Sequence, residues 1–286
     1  LPGRTRLCSL ATAGIFGFNF SEEMSHMSSP SILLKKTAPA GTIILNRPER
    51  HNALSREIIA ALQQAFDDFH GERSVRAVIV AGSGDSFCSG ADLRELAETA
   101  EDQQALSLWQ TEVEQLQQLL ETMLRYPKPI LIAATGWVVG SGLSLLLAGD
   151  YVIAGESTRL WLPEAIRGLS AGLTTPLLVF RAGAGQANRF LYQTEPIPAD
   201  QAAKLGLIQE VVADNLVWAR AQQLATELAR GSSQSHLLGK QLLNQTVGEN
   251  LLTQLAIGAA QVAAARTTDA AREGVQAFLE KREPKF

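Results

Sequence analysis

The sequence predicts an α/β fold with a mostly parallel sheet and a helical C-terminal third. Three observations carry that reading. Segments of strand type and helix type alternate from residue 31 to about residue 154. From Pro198 onward the pattern is nearly all helical. Finally, 46% of the 286 residues are apolar and 19% charged, which fills a large buried core and excludes a wholly disordered chain.

Residues 31–36 and 42–45 read as short strands, broken by Ala38-Pro39-Ala40-Gly41. Ser55 opens an amphipathic helix whose apolar positions, Ile58, Ile59, Leu62, Ala65, Phe66 and Phe69, recur at helical spacing. Residues 75–80 form a β-branched strand, and Gly82-Ser83-Gly84-Asp85 a loop. A polar helix runs from about 102 to 125 and is stopped by Tyr126-Pro127-Lys128-Pro129. A buried strand at 130–135, a glycine-rich stretch at 136–142, a short apolar helix and a strand at 151–154 follow. Strand–helix–strand spacing of this kind implies right-handed crossovers. Beyond Pro198, helices are predicted at 199–205, 215–229, 233–246, 251–265 and 269–282, with a short strand at 208–212. The apolar faces of this tail, at Leu251, Leu252, Leu255, Val262, Val275 and Phe278, serve either subunit contacts or the core. No internal repeat is visible.

Residues 1–28 read as a separate leader, targeting or expression-derived segment without fixed structure. Arg4 and Arg6 precede a small, apolar run to Phe20, with no acid before Glu22. The cytoplasm is the default location, with organellar targeting by residues 1–20 left open. The division is then 1–28 leader, 29–197 core and 198–286 helical C-terminal region.

Several function classes are disfavoured at once. Two cysteines rule out a disulfide-rich scaffold and a four-cysteine zinc site. The histidines at 26, 51, 70 and 236 show no i, i+4 pair for a helical metal motif. A net charge of −4 argues against a nucleic-acid partner. The apolar runs at 130–134 and 143–148 are far shorter than the roughly 20 residues of a membrane span.

Three stretches could carry chemistry. Ser86-Phe87-Cys88-Ser89-Gly90-Ala91-Asp92-Leu93 follows a strand and a glycine turn, and its small residues let a ligand approach the backbone. By itself it reads as an ordinary strand-to-helix connection, with Cys88 a small filler. Gly136-Trp137-Val138-Val139-Gly140-Ser141-Gly142-Leu143-Ser144 ends at a helix N-terminus, where free N–H groups stabilise developing negative charge. It lacks the third glycine of a dinucleotide fingerprint and the lysine of a phosphate loop, and tight strand–helix packing explains it equally well. In Leu160-Trp161-Leu162-Pro163-Glu164-Ala165-Ile166-Arg167-Gly168, a carboxylate sits among large apolar residues. Burial would raise its pKa and suit it to proton transfer, although an isolated Pro-Glu is more often solvated.

In order and spacing, these stretches resemble the crotonase family, the enoyl-CoA hydratase/isomerase superfamily, from about Ser31 to Phe286. Supporting pieces are the run from Leu45-Asn46-Arg47-Pro48 to Asn52-Ala53-Leu54-Ser55, Gly149-Asp150-Tyr151-Val152-Ile153-Ala154, Ala202-Ala203-Lys204-Leu205-Gly206, and Arg272-Glu273-Gly274 through Phe278-Leu279. The resemblance implies a spiral of ββα units with a helical C-terminal trimerisation region, assembling as a homotrimer or a dimer of trimers. It implies an acyl-CoA thioester substrate and no separate cofactor, CoA being part of the substrate. The backbone amides of Ala91 and Ser141 would form an oxyanion hole for the thioester oxygen. Arg50, Ala53, Asp92 and Leu93 would lie at the CoA site, with Phe278 and Lys281 near its adenine or phosphate.

The acid–base groups depart from the family's prototype hydratase, in which two glutamates hold one water. The second matches Glu164, whereas the first falls at Ser144. A hydroxyl orients water but is no proton acceptor near neutral pH without an adjacent base. The stretch after Gly168, Leu169-Ser170-Ala171-Gly172-Leu173-Thr174-Thr175-Pro176, also lacks the family's usual proline and Gly-Gly-Thr run. The expectation is therefore a Δ3,Δ2-enoyl-CoA-isomerase-like enzyme with Glu164 as its sole matched acid–base group and Ser144 beside it. Enoyl-CoA hydration is the alternative, followed by a non-catalytic acyl-CoA-binding or RNA-binding relative.

Overall fold

The computed structural model describes residues 30–246, 248 and 250–286, so the expectations for residues 1–28 lie outside the described residues. Its centre is a six-stranded sheet of order β1-β2-β3-β5-β7-β10. The strands are β1 (Ile32–Thr37), β2 (Ala40–Leu45), β3 (Ala77–Gly82), β5 (Ile130–Ala134), β7 (Tyr151–Gly155) and β10 (Glu210–Val212). Only the β1–β2 hairpin is antiparallel. Ala40 and Gly41, expected in the turn, belong to β2, because Thr37 pairs with Ala40 and closes the hairpin within two residues.

Both faces of this sheet are covered, as a parallel sheet requires. Side chains alternate along each strand. Val78, Val80, Ile130, Ile132 and Ala134 enter the main core with α1 (Arg56–Gly71), α3 (Ala105–Arg125) and α4 (Ser141–Ala148). Ala77, Ile79, Leu131 and Ala133 face the other way, against Val217, Ala221 and Leu224 of α7 (Val217–Leu228).

A second, smaller sheet has the order β4-β6-β8-β9, formed by β4 (Ser86–Cys88), β6 (Trp137–Val139), β8 (Arg159–Trp161) and β9 (Ile197–Pro198). Its strands β4, β6 and β8 run parallel, and each directly follows a strand of the large sheet, β3, β5 or β7. A helix follows each pair: α2 (Leu93–Glu98) and α3 after the first, α4 after the second, and α5 (Thr174–Tyr192) after the third. This is the expected spiral of ββα units.

None of β4, β6, β8, β9, α2 or α5 is predicted from the sequence. Strands of two or three residues are too short to show a period of two. Pro176, Gly183 and Gly185 disguise α5, and Gly183, at φ 79°, kinks it. The helix expected at 102–125 begins only at Ala105.

The C-terminal helices are α6 (Ala199–Lys204), α7, α8 (Ser233–Thr246), α9 (Leu251–Ala265) and α10 (Asp269–Leu279). The last ends three residues before its expected limit, and Lys281 just beyond it takes a left-handed φ of 55°. α9 packs along α3, and α10 packs on α2 and on the 3-10 turn Ala165–Arg167. Leu251, Leu255 and Val275 are buried, so these tail positions serve the core, whereas Phe278 stays exposed. Among the described residues, no helix is long and apolar enough to cross a membrane.

Candidate active site

The carboxyl ends of β4, β6 and β8 lie side by side, and each carries one of the three stretches singled out in the sequence. The loop after β4 holds Ala91, α4 begins at Ser141 after β6, and Glu164 follows β8 by three residues. Adjacent strand ends in a parallel sheet are where α/β folds form their crevices.

The loops are fixed by close backbone approach. A Cβ on Gly90 would stand 2.7 Å from the Val139 carbonyl and 3.2 Å from the Ser141 nitrogen, and one on Gly142 would stand 2.5 Å from the Cys88 carbonyl. Cys88 is fully buried there, and burial pushes its thiol up to about 12, so it is an inert filler. Asn52, also fully buried, ties the preceding turn to the same region. Its amide donates to the carbonyls of Ser83 (2.8 Å) and Ser86 (2.7 Å), and its Oδ1 accepts from the Arg47 N–H.

Ala91, Ser141 and Glu164 line one cavity of about 30 Å³, together with Leu54, Ile59, Glu112, Val113, Leu116, Ser170, Ala171, Leu173, Thr174, Val262 and Arg266. Neither the Ala91 nor the Ser141 N–H donates a hydrogen bond among the described residues. Ser141 is the first residue of α4, where an N–H has no intrahelical acceptor and the helix dipole is positive.

Glu164 Oε2 is buried without a hydrogen-bond partner. Burial raises its carboxyl to about 7, against the opposing pulls of its own backbone N–H and the Arg167 cation. A carboxyl at that value exchanges its proton readily near neutral pH.

Ser144 is buried on α4 and does not line this cavity. Its hydroxyl is engaged with Thr174 Oγ1 at 2.8 Å, and Thr174 in turn faces the cavity. Asp92 caps α2 by accepting from the Arg94 N–H and pairs with Arg47 at 3.1 Å. Arg47 also donates to the Ala53 carbonyl at 3.3 Å. Leu93 packs on the small cluster of Leu96, Ala105, Trp109 and Val275. Arg50 is half-buried, and its carbonyl accepts from Ala53 N and Ser89 Oγ. The Phe278 ring lies 4.2 Å beneath the Arg167 guanidinium, and Lys281 is exposed. None of these six CoA-site candidates lines the cavity.

Sequence reasoning missed Glu112 and Arg266, which line the cavity as an ion pair of 2.8 Å, Arg266 buried and Glu112 half-buried. A signal was present. Glu112 falls on the stripe Trp109, Val113, Leu116 of α3, and Arg266 continues the stripe Leu255, Ala259, Val262 of α9. A charge at a core-facing helical position is seldom idle.

Comparison with known proteins agrees with this architecture. A family profile described as enoyl-CoA hydratase/isomerase matches residues 36–286. A putative enoyl-CoA hydratase of Thermus thermophilus is 35% identical over 248 residues, 85% of this chain and 96% of that protein. A 1,2-epoxyphenylacetyl-CoA isomerase of Escherichia coli is 34% identical, over 86% of this chain and 94% of that protein. The crystal structure of an enoyl-CoA hydratase/isomerase from Xanthobacter autotrophicus Py2 superposes with a TM-score of 0.80 at 26% identity, covering 90% of this chain and 98% of that one. The chain therefore belongs to the enoyl-CoA hydratase/isomerase family of the crotonase superfamily, enzymes of CoA thioesters.

Proposed function

We propose that the protein is a Δ3,Δ2-enoyl-CoA-isomerase-like enzyme in which Glu164 shuttles one proton between C2 and C4 of an enoyl thioester. The Ala91 and Ser141 amides hold the thioester oxygen as it gains charge. Removing Glu164's target proton gives a dienolate, and returning the proton at the other carbon gives the conjugated 2-enoyl product, so one carboxyl group serves as base and then as acid. Donors fixed at such an oxygen contribute about 3–4 kcal/mol each.

The observation that carries this reading is the pairing of a cavity-lining Glu164, raised to about 7, with a Ser144 hydroxyl committed to Thr174. Hydration by two carboxylates has no counterpart at Ser144. Hydration remains the second reading because Glu112 also lines the cavity, and because the Thermus thermophilus relative is named a putative hydratase.

A homotrimer, or a dimer of trimers, completes the proposal. α8 has no buried residue, and Leu238, Leu242 and Leu243 are exposed along it, an apolar face suited to a neighbouring subunit. Arg50, Lys281 and Phe278 are proposed to meet the CoA moiety outside the cavity.

Incubation with 3-enoyl-CoA and 2-enoyl-CoA, each followed by chromatography, tests the reaction. Conversion of the 3-enoyl to the 2-enoyl ester is expected. Faster appearance of the 3-hydroxyacyl ester from 2-enoyl-CoA would favour hydration, and no turnover of either by folded protein would overturn both.

A further inference from the structure

Two buried polar atoms at the cavity have no hydrogen-bond partner among the described residues: Glu164 Oε2, which the proposed proton transfer uses, and Arg266 Nη1, which it does not. Arg266 stands at the C-terminal end of α9, with its side chain 6% exposed. Its Nη2 donates to Glu112 Oε1 at 2.8 Å. Glu112 thus compensates the buried charge, and Nη1 is left over. Folded interiors rarely leave such a donor unmet, and an exception calls for an explanation.

The place of Arg266 suggests what meets it. Ala91, Ser141 and Glu164 come from the strand ends, whereas Glu112, Val113, Leu116, Val262 and Arg266 form the α3–α9 wall. Arg266 thus stands on the α3–α9 wall of the cavity, beside the apolar side chains of Val113, Leu116 and Val262, which suit an acyl chain.

We propose that Arg266 Nη1 binds a neutral oxygen, hydroxyl or carbonyl, carried by the acyl chain, so that the enzyme selects oxygenated acyl-CoA thioesters over plain hydrocarbon ones. This rests on the acyl-CoA reading given above. The charge balance favours a neutral oxygen over a carboxylate. The charged residues lining the cavity are Glu112, Glu164 and Arg266, and the Glu112–Arg266 pair is already neutral. A carboxylate-ended chain would bring in a buried negative charge with no second cation to meet it.

Saturated CoA esters test this without turnover. Calorimetric dissociation constants are measured for hexanoyl-CoA, for its 4-, 5- and 6-hydroxy derivatives and for adipoyl-CoA, on the unaltered protein and on Arg266→Met. At least one hydroxy ester is expected to bind about tenfold tighter than hexanoyl-CoA, the scale of one hydrogen bond to a charged group, and Arg266→Met should abolish that difference. Where the single variant does not fold, Glu112→Leu/Arg266→Met removes both charges and repeats the comparison. Equal binding of hexanoyl and all hydroxy esters, or a preference that survives the loss of Arg266, overturns the proposal. Tightest binding of adipoyl-CoA overturns its neutral-oxygen form. If no ester binds, the acyl-CoA reading itself fails, whereas binding without preference defeats this inference alone.

Discussion

Gly140 and Glu164 share one space: a Cβ on Gly140 would stand 2.7 Å from Glu164 Oε1. Gly140 also takes a φ of 54°, which L side chains rarely adopt, and its N–H donates to the Trp161 carbonyl at 2.9 Å. The residue before the first helical amide of α4 thus sets the position of the carboxylate. Gly140→Ala should strain the backbone at the start of α4 and cost stability as well as displace Glu164, so circular dichroism first establishes that the variant is folded. The expected loss in kcat is about 10²–10⁴-fold, the usual contribution of an acid–base group. An unimpaired Gly140→Ala enzyme would show that Glu164 does not act from this position.

The burial of Glu164 links pH to both rate and stability. As the proposed base it must be ionised, so kcat/KM should rise through about pH 7. Stability runs the other way. Its folded pKa lies above the ordinary value of 4.5, so its contribution is fully present below about pH 4.5 and is lost as pH rises through about 7. The shift corresponds to about 3 kcal/mol. Glu164→Gln should therefore be inactive yet more stable than the unaltered protein at pH 8, with the gap closing toward pH 5. Urea denaturation at the two pH values measures this, and a variant less stable at pH 8 would count against a buried, strained carboxylate.

Ser144→Glu would introduce a second carboxylate and should raise hydration of 2-enoyl-CoA. The new side chain must displace the 2.8 Å contact with Thr174 and enlarge a filled site, at about 1–3 kcal/mol in stability. An unchanged or lower hydration rate in a folded variant would mean that the missing carboxylate is not what limits hydration.

Leu242→Glu, on the exposed face of α8, should reduce the proposed trimer to a smaller species while leaving the monomer's fold intact, because Leu242 is 62% exposed within one chain. Light scattering after size exclusion reads the mass. An unaltered mass would place the subunit contact elsewhere.

Much of this site is legible in the sequence because its parts lie in short contiguous stretches. Ala91, Ser141 and Glu164 sit in runs of small residues or just after a proline, and the structure places all three on one cavity. The large sheet is legible because five of its six strands run to five or six residues, long enough to show themselves. The small sheet is not, since β4, β6 and β8 have three residues each and are defined by pairing with distant strands. The Glu112–Arg266 pair joins residues 154 positions apart, and no local pattern announces which acid meets which base.

The proposed site divides its chemistry between two kinds of material. Ala91 and Ser141 contribute main-chain N–H groups, which persist through any substitution that keeps the backbone path. Glu164, Ser144, Glu112 and Arg266 contribute side chains, each replaceable by a single codon change. The anion-holding half of the site is thus inherited with the fold, and the proton-handling half is free to drift. A protein built on this scaffold could change its reaction without rebuilding its pocket, and position 144, where this chain carries serine, is one place where such a change would act.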